Sequence, residues 1–354
     1  MDIKIQRASE LKSKPSLEKI AFGSHFTDHM FIMDYHEGKG WHDLRIVPFG
    51  NLELSPAAMV FHYAQEIFEG MKAYRSPLGE ILLFRPIENI RRMNISADRI
   101  CIPQIPEDLF LEALKTLLIL EKDWVPSEPD TSLYIRPFAI ATEANLGVMA
   151  SKSYKFVIIA SPVGSYYPEG INPIRIMIES RDVRAVLGGT GFAKCGGNYA
   201  ASIRAGKRAL SQGYNQVLWL DGITRRNIEE VGSMNVMFKI GGKVVTPGLT
   251  GSVLPGITRK SCIELLGSWG YEVSERDFSI DELIEASNDG SLEEAWGTGT
   301  AAVISPICEI AFEGKSYEIP GKGIGPLTQR LYNTITDIQW GRMEDKFAWS
   351  IKVC

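Results

Sequence analysis

Histidine is scarce and cysteine is unpaired in this 354-residue chain, and both shortages narrow the chemistry open to it. All five histidines (His25, His29, His36, His42 and His62) fall in the N-terminal stretch. The glycine-rich second half therefore has no histidine of its own for acid–base work, which leaves lysine as the natural proton carrier there. The five cysteines (Cys101, Cys195, Cys262, Cys308 and Cys354) are scattered and form no Cys-x-x-Cys pair. That pattern offers no zinc site and suits reduced thiols in a cytoplasm. No apolar run approaches the ~20 residues that span a bilayer. Met1-Asp-Ile-Lys4 lacks the apolar core of a secretory signal, and an Arg- and Ser-rich, acid-poor transit peptide is missing too. A cytoplasmic protein is the expectation. The net charge of −5 and a pI near 5.7 argue against a nucleic-acid or anionic-membrane partner. No internal repeat or low-complexity tract is visible.

What remains is an ordinary globular composition: 45% hydrophobic, 23% charged, mean hydropathy −0.04. At this length a single core is strained, so two domains are expected. The pattern is a mixed α/β chain of α+β character with many hairpins rather than a strict βαβ series. Alternation and β-branched content predict strands over 30–35, 133–141, 155–160, 174–179, 216–220 and 301–310. Hairpins are predicted at 71–74/80–84 and, around Gly241-Gly242, at 235–240/243–246. Helical spacing predicts helices over 56–68, 87–100, 106–122, 199–210, 257–269 and 326–339, and Ser279-Ile-Asp-Glu282 is a capping box for one more. The turn-rich run Ser161–Gly170 is the best linker. The expected division is a smaller N-terminal domain at 1–163, an interdomain loop at 164–173 and a larger domain at 174–354.

Four motifs in the second domain fit one task. Lys194 lies in Gly188-Gly-Thr-Gly-Phe-Ala-Lys194-Cys-Gly-Gly-Asn-Tyr199. A phosphate-binding P-loop would need Gly before the lysine and Ser or Thr after it, and a dinucleotide fingerprint would need Gly in its place. Neither fits. A lone lysine is ordinarily a solvated surface residue. In a glycine-rich bend before an apolar helix start it is predicted to face inward, where a neutral amine can attack an aldehyde. Glu229-Glu230 could be an exposed acidic pair, or Glu230 could keep a pyridinium nitrogen protonated. Leu254-Pro-Gly-Ile-Thr258-Arg259 opens a helix whose free N–H groups can cradle a phosphate, and Gly297-Thr-Gly-Thr300 offers a second set of donors. A lysine, a carboxylate and two anion cups are the parts that hold pyridoxal 5'-phosphate, with no metal required. On the strand Ser132–Pro137, Tyr134 and Arg136 share a face and can clamp a carboxylate. The spacing His25-Phe-Thr-Asp-His29 invites a metal, but no third ligand sits at helical spacing.

Taken together, Lys194-x-Gly-Gly-Asn-Tyr199, Glu230-Val-Gly-x-Met-Asn235, Leu254–Arg259 and Gly297-x-Gly-Thr300-Ala resemble the branched-chain amino acid aminotransferases. So do Phe26-Thr-Asp-His-Met30, Phe68-Glu-Gly-Met-Lys-Ala73, Leu83-Phe-Arg-Pro86 and Tyr134-Ile-Arg-Pro137. The resemblance covers nearly the whole chain in order and is greatest to the longer, eukaryotic-type branch. It implies the fold-type IV pyridoxal-phosphate architecture, two α/β domains joined by a loop, acting as a homodimer. It implies Lys194 as the catalytic lysine joined to the cofactor aldehyde, Glu230 at the ring nitrogen and Tyr199 on the ring-hydroxyl side. Arg85, Ile257, Thr258 and Thr300 would hold the phosphate, with Arg184 nearby and Leu254 packed on the ring. Tyr63, Phe68, Tyr134, Arg136, Tyr166, Ser233 and the Thr300–Ala301 backbone would line the substrate side. Leu146 and Val148 match a loop inserted from the partner subunit. Two departures stand out. Mammalian members carry a Cys-x-x-Cys pair where this chain has Ala302 and Ser305, so a thiol switch is not expected, and Ser233 replaces a common Thr.

The implied reaction is a ping-pong transfer of the amino group between L-leucine, L-isoleucine or L-valine and 2-oxoglutarate. Lys194 would move the α-proton. Within the same fold, a D-amino acid transaminase and an aminodeoxychorismate lyase share the lysine and glutamate. The Tyr134-x-Arg136 pair favours the branched-chain enzyme. A nucleotide-binding protein without chemistry would use the same glycine bends.

Overall fold

The computed structural model describes residues 2–17, 20–164, 171–321 and 324–354, and the chain divides into two compact units. Met1–Pro168, Ala193–Gly196 and Asp337–Cys354 form the first; Glu169–Phe192 and Gly197–Thr336 form the second. The mixed α/β class is as expected. The domain limits are not those expected, because the chain's end returns to the first unit instead of completing the second. The physical reason is pairing: the last strand adds to the first unit's sheet.

Along the first unit run β1 (Lys4–Ile5), β2 (His29–His36), β3 (Gly40–Pro48), α1 (Met59–Tyr63), β4 (Glu66–Phe68), β5 (Met71–Arg75) and β6 (Ile81–Phe84). Next come α2 (Pro86–Arg99), α3 (Glu107–Leu120), β7 (Ser132–Ala141) and β8 (Ser153–Val163). In the second unit are β9 (Ile174–Glu179), α4 (Gly196–Ser211), β10 (Gln216–Leu220), β11 (Ile228–Val231), β12 (Met234–Ile240), β13 (Lys243–Pro247) and α5 (Ile257–Ser268). The chain continues through β14 (Val273–Arg276), α6 (Ile280–Asn288), β15 (Leu292–Gly299), β16 (Val303–Phe312), β17 (Lys315–Glu318) and α7 (Pro326–Gln339) to β18 (Ser350–Lys352).

The first sheet has the order β1-β3-β2-β8-β7-β5-β6-β18, with β4 on β7; among the described residues only β1 and β3 pair parallel in it. Its buried face, with Phe31, Met33, Ile46, Ile135, Phe156 and Ile158, packs on Ile90, Met93, Phe110 and Leu114 of α2 and α3. Each such side chain contributes about 1.5–3 kcal/mol of burial. The second sheet has the order β11-β10-β9-β16-β15-β12-β13-β14, and an extra β11–β12 pairing closes its first six strands on themselves. Phe238, Phe278, Leu283 and Leu292 anchor its core.

One element is misplaced by periodicity. The helix expected over 56–68 is helical only at Met59–Tyr63; Ala64 turns left-handed (φ 47°), and Glu66–Phe68 becomes β4 on β7. Pairing overrides the helical spacing there. The strand expected at 301–310 begins later, at Val303, and the helix expected from Tyr199 begins earlier, at Gly196. Ser279 caps α6 as expected, its Oγ accepting the Glu282 N–H at 3.1 Å, while the Glu282 carboxylate pairs with Arg276.

His29 is a structural residue. Its Nε2 accepts the Ala8 N–H at 2.8 Å, so the ring carries its proton on Nδ1, which faces Glu121. Glu121 also accepts the Asp28 N–H, Asp28 accepts from Trp124 Nε1 at 2.7 Å, and the Lys12 N–H donates to Asp28 at 2.7 Å. The cluster ties the N-terminal segment to the first unit. His25 is exposed and contacts Ser24. Among the described residues no group of His, Cys, Asp and Glu could hold a metal. Glu121→Ala strands two buried donors and is expected to destabilise the protein by about 3 kcal/mol, whereas His25→Ala should stay within about 0.5 kcal/mol. Urea unfolding followed by tryptophan fluorescence checks both; equal midpoints would contradict the assignment.

Candidate active site

Lys194 belongs to the first unit, and its backbone is pinned on two sides. Its carbonyl accepts the Phe68 N–H at 3.0 Å, and the adjoining Cys195 bridges Ile67 antiparallel. Its own N–H donates to Ser96 Oγ at 2.8 Å, and Ser96 donates to the Arg92 carbonyl one turn earlier on α2, at 3.0 Å. Arg92 in turn grips Glu69 through Nε and Nη2 at 2.7 and 2.9 Å, and Asn89 adds a third bond at 2.8 Å. Burial alone would push the Glu69 carboxyl up. The Arg92 charge and hydrogen bonds, and then the Lys194 charge, hold it below the usual carboxylate range.

The Lys194 amine lies over the Phe68 ring, 4.9 Å from its centroid, and the Arg136 guanidinium lies over the same ring at 4.7 Å. Arg136 donates to the Tyr134 hydroxyl at 2.9 Å, as their shared face on β7 requires, while its buried Nε has no hydrogen-bond partner. Gly70 is forced by this wall: a Cβ there would sit 2.2 Å from the Tyr134 hydroxyl. An aromatic surface carrying an amine and a guanidinium with an unused donor can hold an aliphatic chain, a distal carboxylate, or each in turn.

In the second unit, alternation on β11 sends Glu229 and Glu230 to opposite faces. Both are buried, so the exposed acidic pair is not what forms. Glu230 accepts the Leu254 N–H at 2.7 Å and lies 3.1 Å from Arg184 Nε. That ion pair is close but poorly aligned, and Nε makes no hydrogen bond. Arg184 is otherwise fixed by the carbonyls of Gly191 and Ser252. Glu229 instead receives the Ser252 hydroxyl, and burial pushes its carboxyl up. A Cβ at Gly191 would lie 2.2 Å from the Ser252 carbonyl, so the bend before Lys194 has room only for glycine.

The turn into α5 is set by Asn235, which donates to the Leu254 carbonyl at 2.9 Å and leaves 1.8 Å for a Cβ at Gly256. No side chain caps α5, so the N–H groups of its first turn, around Ile257 and buried Thr258, remain for an anion. Arg259 points away, to the Pro247 carbonyl and Glu275. Gly297 and Gly299 stand against Met234 across the β12–β15 pair, where a Cβ would approach it to 2.9 and 3.1 Å. They serve close strand packing, and Thr300 and Ala301 follow in the turn to β16. Ala302 and Ser305 are buried, without thiols.

The remaining candidates scatter. Arg85 caps α2 in a left-handed conformation and lies on Trp349 at 4.9 Å, with Glu88 at 3.8 Å. Tyr63 donates to the Leu146 carbonyl and is partly exposed; Leu146 and Val148 are 64% and 84% exposed, far more than apolar residues with a seat in this chain. Tyr199 is half-buried on α4, and Ser233 is exposed in the turn between β11 and β12. Tyr166 lies outside the described residues. Sequence reading missed Glu69, Arg92 and Ser96, although Asn89, Arg92 and Ser96 recur at helical spacing beside apolar Ile90, Met93 and Ala97. A polar stripe on an apolar face was the signal.

The first unit carries the Lys194 amine, and the second carries the buried Glu230 carboxylate and the uncapped start of α5. The model of the class IV amino-transferase family matches residues 66–310. The chain is 56% identical over 351 residues to branched-chain-amino-acid aminotransferase 2 of Bacillus subtilis, covering 99% of this chain and 97% of that protein. It is 54% identical over 343 residues to the branched-chain-amino-acid transaminase 1 of the same organism, with 97% and 96% covered. Among solved structures it is similar to the Escherichia coli branched-chain amino acid aminotransferase, with a TM-score of 0.77 at 28% identity over 92% of this chain and 99% of that one. It is also similar to a further branched-chain amino acid aminotransferase solved as a complex with N-(5'-phosphopyridoxyl)-L-glutamate, with a TM-score of 0.73 at 26% identity over 91% and 98%. The fold is thus that of the fold-type IV enzymes, and the chain belongs to the class IV aminotransferases, a family of pyridoxal-phosphate-dependent transaminases.

Proposed function

We propose that this enzyme transfers the amino group between L-leucine, L-isoleucine or L-valine and 2-oxoglutarate, as a homodimer, by a ping-pong sequence on pyridoxal 5'-phosphate. The observation that carries the reading is the single Phe68 ring shared by the Lys194 amine and the Arg136 guanidinium. It supports a site in which a proton-carrying amine and a carboxylate clamp serve one substrate. The names of the full-length relatives support the choice of amino acids.

When bound, pyridoxal phosphate would supply the aldehyde that accepts the amino group and a ring that stores the electron pair left on the α-carbon. Lys194 would hold the cofactor and, once displaced, carry the α-proton on Nζ. Glu230, steadied by the Leu254 N–H and Arg184, would keep a proton on the ring nitrogen. Thr258, Ile257 and Thr300 would take the phosphate, with Arg85 as the arginine that the family resemblance favours. Tyr199 would lie on the ring-hydroxyl side and Leu254 against the ring. Phe68 would meet an aliphatic side chain and Arg136 and Tyr134 a distal carboxylate; the family resemblance adds Tyr63, Tyr166, Ser233 and Ala301 to the substrate-binding residues. The exposed Leu146 and Val148 would complete the site of a second copy.

Lys194→Ala is expected to lose the visible absorbance of the bound cofactor and at least about a thousandfold in turnover; retained colour and turnover would exclude the lysine. Arg136→Leu should cost 2-oxoglutarate about 2 kcal/mol or more in kcat/KM while sparing leucine; equal losses on the two substrates would remove the clamp. Assay of the wild type should show L-leucine as donor and D-alanine as non-donor. The reverse preference would favour a D-amino acid transaminase.

A further inference from the structure

Glu66 precedes Phe68 by two residues on β4 and so projects from the face that carries the shared ring. Its carboxylate accepts the Gly196 N–H, and a Cβ on Gly196 would fall 2.0 Å from Glu66 Oε1, so the segment bearing Lys194 closes onto this side chain. The charged group acting on it is Arg136 from β7, which lies over the Phe68 ring together with Lys194. Glu66 is half-buried. Burial pushes its carboxyl above the usual range, and the pull of the Gly196 N–H and of the Arg136 charge does not offset it.

One pocket must take an uncharged aliphatic side chain in one half-reaction and a second carboxylate in the other. An arginine alone serves only the latter, because an aliphatic group beside it leaves a cation without a counter-charge. We propose that Glu66 is a specificity-determining residue: it balances Arg136 while an aliphatic side chain is bound and opposes the distal carboxylate of a dicarboxylate. This rests on reading Arg136 as the carboxylate clamp. The sign follows from like-charge repulsion. A bound dicarboxylate disfavours ionised Glu66, so its binding takes up a proton, and its affinity rises as pH falls through the Glu66 pKa. An aliphatic monocarboxylate leaves Glu66 ionised beside Arg136 and shows no such dependence.

The test is calorimetric binding of glutarate and of 4-methylvalerate to the holoenzyme, wild type and Glu66→Gln. The glutamine keeps an acceptor for the Gly196 N–H. Glutarate is expected to bind the variant about tenfold tighter, and 4-methylvalerate to stay within about twofold. As pH falls toward the Glu66 pKa the wild type should gain affinity for glutarate while the variant stays flat. Should the glutamine variant fail to fold, Glu66→Ser gives the same readout. Equal changes for both ligands would mean that Glu66 only props the Gly196 segment, and unchanged binding would remove it from selection altogether. A wild type that binds neither ligand would overturn the clamp itself.

Discussion

Residues 193–196 are held to the first unit by main-chain pairing rather than by the lysine side chain. The Phe68 N–H bond to the Lys194 carbonyl and the isolated Ile67–Cys195 bridge fasten this short segment beside β4. Ser96 holds the remaining N–H from the helix side. With its place fixed through the backbone, Lys194 presents its side chain to the Phe68 ring. Gly191 is required in the second unit against the Ser252 carbonyl, and Gly196 in the first unit lies close against the Glu66 carboxylate.

The second unit buries two adjacent carboxylates with different partners. Glu230 receives a main-chain donor and a guanidinium, whereas its neighbour Glu229 has a hydroxyl donor and rises in pKa through burial. Two adjacent glutamates thus acquire different chemistry from a half-turn of strand. Asn235 sets the turn that delivers both the Leu254 N–H and the start of α5, so one amide side chain supports two functions.

Much of this was legible in the sequence where local rules govern. Alternation on β7 put Tyr134 and Arg136 on one face, the Gly241-Gly242 hairpin forms as written, Ser279 caps its helix, and Lys194 is half-buried in its bend. What stayed hidden depends on pairing between distant segments. Residues 66–68 have helical spacing, yet the open edge of β7 takes them as a strand. Glu66 came into view only with that change, and the return of 337–354 to the first unit was equally invisible. The motif Leu83-Phe-Arg-Pro86 drew attention to Arg85 and not to Arg92. In the structure, Arg92 shares the network of Lys194 while Arg85 lies on Trp349.

The account turns on Lys194 as the residue that bears the cofactor. Borohydride reduction of the holoenzyme, followed by proteolysis and mass spectrometry, reads this directly. A phosphopyridoxyl group fixed to the peptide that contains Lys194, and to no other, is the expected result. The label on a different lysine, or a fully active enzyme that takes up no label, would contradict the account at its root.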